Sequence, residues 1–208
     1  MDLSLAFGIF VCERGYIMIF DKDVFLTKLN ALFKDQNNSK VEMFLYDQLA
    51  TLQSLFSMDQ SIDSCGCGYG SIQGDSRFSS NDDVKRQEER TSGIVFVLNE
   101  LACFYRDTGK LNKSIEMFQK AELEMHGTSI IKTLNYVKVI INKAGTYRIM
   151  GEYEKALVEF NKAERVLNKI GSKDYHFLAS LYKDIALVYH DLKDFDKETE
   201  FLEKAKAI

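Results

Sequence analysis

The chain has 208 residues, 46% of them hydrophobic and 28% charged, with a formal charge of −4; its length fits one domain, or one and a short appendage, and its composition argues against extended disorder. The acidic surplus supplies no basic footprint for a nucleic-acid backbone. Proline is absent where average usage predicts about ten, which disfavours many short strands joined by Pro-rich turns and points to long helices.

Residues 3–12 (LSLAFGIFVC) form an apolar run, but Met1 and Asp2 stand where a signal peptide carries basic residues, and Val11 is not the small residue that a cleavage site needs. Glu13 and Arg14 end the run far short of the roughly 20 residues that span a bilayer. Residues 1–20 therefore read as an extension, with Met18 as an alternative start. Four unevenly spaced cysteines (Cys12, Cys65, Cys67 and Cys103) do not make a disulfide framework, so a reducing, cytoplasmic setting without a membrane is expected.

A helical pair is expected over 21–58. Its first helix, about 22–35, places Phe25, Leu29, Leu32 and Phe33 on one face; its second, about 40–57, does so with Val41, Phe44, Leu45, Leu49, Leu52 and Phe56. Ser39-Lys40-Val41-Glu42 has the form of a capping box. Residues 59–91 read as a flexible linker: 59–83 are rich in Ser, Gly, Asp and Asn, and Lys85–Arg90 reads as a solvated turn opening the next helix. Cys65 and Cys67 offer two of the four ligands that a structural zinc needs, and His126, His176 and His190 lie on distant segments. The Gly66–Gly70 run follows no strand, so it fails the context of a dinucleotide loop. Neither metal, cofactor nor catalytic constellation is expected, and the chain reads as non-enzymatic.

Residues 92–208 repeat. Ala102, Ala144 and Ala186 are spaced by 42, and the same register aligns Tyr105, Tyr147 and Tyr189; Lys113, Lys155 and Lys197; Lys120, Lys162 and Lys204; and Ala121, Ala163 and Ala205. Each unit (92–129, 130–171 and 172–208) reads as two helices. In the first, Leu98, Leu101, Ala102 and Tyr105 form a stripe of period 3.6, Gly109 marks a turn, and Ile115, Phe118, Ala121 and Met125 form a second stripe. Gly151 takes the same place in the second unit, whereas the third has Lys193 there, so its turn is expected to be strained or reshaped.

These columns resemble the tetratricopeptide repeat: Ala102, Tyr105, Gly109, Ser114, Phe118 and Ala121 match its pattern, as do Ala144, Tyr147, Gly151, Ala156, Phe160 and Ala163, while the third unit keeps Ala186, Tyr189, Leu202 and Ala205. The usual repeat is about 34 residues, and the longer spacing is similar to the long-helix variant of kinesin light chains and bacterial members. The resemblance implies an all-α tetratricopeptide-type helical-hairpin superhelix, an α-solenoid of three repeats preceded by the N-terminal helical pair. It also implies a protein–protein interaction module that binds a peptide or protein segment in a concave groove lined by the first helix of each repeat; the alternative is a bacterial peptide-sensing regulatory protein of the same class. Carried over by position, the groove residues are Asn99, Glu100, Cys103 and Arg106; Lys138, Ile141, Asn142 and Arg148; and Lys183, Asp184, Leu187 and His190. Of the asparagines that contact ligand backbone in the long variant, only Asn142 is kept. Arg106, Lys138, Arg148 and Lys183 would suit an acidic ligand. With Phe201, Ala205 and Ile208 on one stripe of the final helix, a homodimer through that helix is expected, unless the polypeptide continues.

Overall fold

Asp21 starts the helical part of the chain: its carboxylate accepts hydrogen bonds from the Asp23 and Val24 amides at 2.9 and 3.0 Å, satisfying two of the free N–H groups of helix α1 (Lys22–Lys34). The computed structural model describes residues 9–10, 19–64, 80–171 and 175–208. Among them are eight helices and one short strand pair: α1, α2 (Asn38–Ser64), α3 (Ser80–Asp107), α4 (Leu111–Met125), α5 (Leu134–Ile149), α6 (Tyr153–Ile170), α7 (Tyr175–Asp191), α8 (Phe195–Lys206), and β1 (Ile9–Phe10) antiparallel to β2 (Ile19–Phe20). A 3-10 turn at Ser129–Lys132 precedes α5. The described part is an all-α array, and its contacts divide it into two compact units at Val97/Leu98, inside α3.

In residues 1–97 the described core is aliphatic around one aromatic cluster. Phe25 is fully buried, with the rings of Phe20, Phe44 and Phe96 at 5.4–5.5 Å around it. A Cβ on Gly93 would meet Phe20 at 3.3 Å, so the glycine is what admits Phe20 to α3. Leu29, Val41, Leu45, Leu49 and Leu52 are buried as their spacing predicts, but Phe33 is 45% exposed because it falls on the last turn of α1.

Two local expectations are corrected. The cap of α2 is Asn37, whose side-chain oxygen accepts from the Lys40 amide at 3.1 Å; Ser39 lies two residues further on, already inside the helix, since asparagine caps as well as serine and comes first in the chain. The 59–91 linker is helical at both described ends, through Ser64 in α2 and from Ser80 in α3, so Lys85–Arg90 lies within a helix. Nothing in 80–92 breaks a helix, neither glycine nor proline. Cys65, Cys67 and the Gly66–Gly70 run fall outside the described residues.

Residues 98–208 form the six expected helices. The alanine and aromatic columns are their core: Ala102, Tyr105, Phe118, Ala121, Ala144, Ala156, Phe160 and Ala163 are all at 0–1% exposure. A methyl group at these points lets helix axes approach, and the rings fill the space beside them. Contacts run α4 to α5, α5 to α6, α6 to α7 and α7 to α8, so each hairpin packs on the next.

Candidate functional site

All twelve groove candidates sit on the first helix of a hairpin, α3, α5 or α7. Two cross-helix hydrogen bonds tie those helices together. Asn142 Nδ2 on α5 donates to Asn99 Oδ1 on α3 at 2.9 Å, and Arg148 on α5 donates to Asp191 Oδ2 on α7 at 2.8 Å. Both link residues 43 apart, one more than the repeat, so neighbouring first helices meet one residue beyond the aligned column.

Around the first link, Asn99 Nδ2 donates to Glu100 Oε1 at 3.2 Å, and Lys138 faces the same carboxylate. Glu100 is half-buried, and burial raises its pKa against the pull of Asn99, Lys138 and Arg106. Around the second link, Asp184 is raised in the same way by burial, opposed by Arg148. Arg106 pairs with the adjacent Asp107 at 3.1 Å. Two of the four cations expected to await an acidic ligand, Arg106 and Arg148, are therefore engaged by carboxylates of the chain itself.

The remaining candidates are less gathered. Burial pushes the Cys103 thiol up to about 12, so it stays protonated at neutral pH and serves as a small apolar contact. Ile141 is half-buried, and Lys138, Lys183 and Leu187 are exposed. His190 faces the hairpin's second helix: its Nδ1 lies 3.0 Å from Glu198 Oε2 on α8.

Asp191 escapes a reading by columns because the contact register is 43 rather than 42. So does a buried ion-pair network on the other side of α5. Lys143, only 5% exposed, bonds Glu122 of α4 and, at 2.7 Å, Glu159 of α6; Lys162 of α6 reaches Glu122 at 2.6 Å. Its only sequence signal is the mixed charge of α4 and α6, since α5 carries no acidic residue. Among the described residues, no group of three or more His, Cys, Asp or Glu could hold a metal ion, and no helix is long and apolar enough to cross a membrane.

The sequence signature described as tetratricopeptide repeat matches residues 134–208 in one form and residues 97–122 in another. No curated protein matches the sequence. Among solved structures, the chain is similar to a crystallised point variant of nearly identical TPR-like repeats assigned to a Podosopora anserina kinesin light chain, at 13% identity and a TM-score of 0.49, covering 87% of this chain and 91% of that one.

Proposed function

We propose, from the tetratricopeptide-repeat signatures that match residues 97–122 and 134–208, that the chain is a protein–protein interaction module whose first-helix face, on α3, α5 and α7, binds an extended segment of a partner protein. The observation that carries the reading is the pair of cross-helix links, Asn99–Asn142 and Arg148–Asp191, which join polar groups of three successive first helices. An extended segment laid across that row meets alternating amide, carboxylate and guanidinium groups, the mixture that pairs with peptide backbone and with charges of either sign. Glu100 and Asp184 support it further, because two carboxylates are held half-buried at a cost in stability that a core built only for folding would avoid.

The face carries Glu100, Asp107, Asp184 and Asp191 beside Arg106, Lys138, Arg148 and Lys183. A partner of mixed charge therefore fits it better than a purely acidic one. The test uses the full chain as bait to capture and identify a partner, followed by binding titrations with a synthetic segment of it. Arg106→Glu combined with Arg148→Glu, or Asn142→Leu alone, is expected to weaken binding at least ~10-fold, with helicity unchanged. Lys120→Glu, on the exposed side of α4, serves as the control. Equal loss from the control, or none from the face variants, rejects the assignment.

A further inference from the structure

We propose that the chain self-associates through the outer face of α8, which packs antiparallel against α8 of a second copy about a two-fold axis near Leu202. In α4 and α6 three columns are shut off from solvent: Ser114 and Ala156, Phe118 and Phe160, Ala121 and Ala163 are all at 0–1% exposure. The same columns in α8 hold Glu198, Leu202 and Ala205, each only half-buried, and no residue of α8 is buried. The face that is shut off in α4 and α6 is only partly covered in α8.

The neighbouring column says what kind of surface would cover it. Glu122 of α4 accepts from Lys143 of α5, and Glu164 of α6 accepts from Tyr182 Oη of α7 at 2.7 Å, so in each case a carboxylate reaches a donor on the next hairpin. In α8 that column is Lys206, exposed. The sign at the edge is inverted, and a helix bearing a lysine or tyrosine donor there would no longer be complemented.

A second α8 would be. Glu198, Leu202 and Lys206 are spaced by four and share one face. A two-fold axis through Leu202 sets residue 198 of one copy opposite 206 of the other, twice over, so two Glu198–Lys206 pairs flank a Leu202–Leu202 contact. His190 already holds the Glu198 carboxylate at 3.0 Å, and Phe195, 58% exposed, extends the apolar stripe by two turns. The stripe expected from the sequence is thereby rotated. Phe201 is half-buried in its own repeat, its ring stacked on Tyr189 at 5.5 Å and covered by Lys204, so the contact centres on Leu202 instead of Phe201.

Sedimentation equilibrium of the full chain tests this by charge exchange. The wild type is expected to dimerise by roughly 100 μM. Glu198→Lys or Lys206→Glu alone sets like charges face to face and is expected to raise the dissociation constant ~10-fold or more. The two together restore opposite charges, and the constant should return to within about threefold of wild type. Lys206→Glu leaves the His190–Glu198 contact in place, and circular dichroism of each variant separates lost association from lost fold. A wild type that stays monomeric, a dimer indifferent to both single changes, or a double exchange that fails to recover would each overturn the proposal. Arg106 and Arg148 lie on another face, so the groove reading can fail without touching this one.

Discussion

Three lysines explain a column that the sequence displays without a reason. Lys113, Lys155 and Lys197 hold their ammonium groups over Tyr105, Tyr147 and Tyr189 at 5.3, 5.5 and 5.0 Å, the same cation–π contact at every hairpin. Periodicity made both columns visible, but that they touch depends on the turn between them. Other side chains carry no such mark. Gln48 is fully buried in α2, and neither its oxygen nor its nitrogen has a hydrogen-bond partner among the described residues. A buried amide left unsatisfied costs more than an apolar group of the same shape. Gln48→Met is therefore expected to stabilise residues 1–97 by roughly 1–2 kcal/mol, read as a higher denaturant midpoint at unchanged slope. Lys143 predicts the reverse. Its removal leaves Glu122 and Glu159 facing Lys162 alone, and Lys143→Met should destabilise by about 3 kcal/mol, whereas a surface lysine such as Lys120 should cost little when replaced.

At the scale of the element, the three hairpin turns are one structure made from two residue types. In each, the amide after the turn residue bonds back to the tyrosine carbonyl, from Lys110 to Tyr105, Glu152 to Tyr147 and Asp194 to Tyr189, at 2.8–2.9 Å. The residue at the corner has positive φ: 75° at Gly109, 78° at Gly151 and 59° at Lys193. The turn with lysine is thus strained and not reshaped, because the flanking helices fix the same hydrogen bonds. Lys193→Gly should gain about 1 kcal/mol, and Gly151→Ala should lose a similar amount; paired thermal melts decide both. Helix existence and type were legible throughout residues 21–208 wherever apolar spacing was regular. The ends were not. A Ser-x-x-Glu signal at Ser39 competed with Asn37 two residues earlier, and the polar composition of 80–91 looked like linker although nothing in it stops a helix.

At the scale of the whole molecule, charge burial sets the response to acid. Burial alone would raise the Glu122 pKa, but the hydrogen bonds from Lys143 and Lys162 outweigh it and leave the group below its ordinary value. A carboxylate depressed on folding stabilises above its unfolded pKa, and that contribution fades as pH falls through the folded value. Glu122→Gln should therefore flatten the loss of stability below about pH 4. Glu100 and Asp184 run the other way: with raised values, their ionisation works against folding as pH rises. Asp184→Asn should gain stability at neutral pH and lose the advantage in acid, as denaturant titrations at two pH values would show. The fold was readable because repeats print their core three times over. The first-helix face was readable only as a set of positions; its pairings follow a 43-residue register that no column of identical residues records.

The four-charge cluster of Glu122, Lys143, Glu159 and Lys162 also gives the array a direction in heat. Dehydrating charges becomes less costly as temperature rises, so the α4–α5–α6 junction gains relative strength on warming. The α6–α7 junction has in that column only the phenol of Tyr182 on Glu164, and α8 buries no side chain fully. In a repeat array whose units interact only with their neighbours, melting starts at the weakest edge and travels inward. Amide exchange on warming should consequently reach α8 first, then α7, and be held longest around Lys143 of α5.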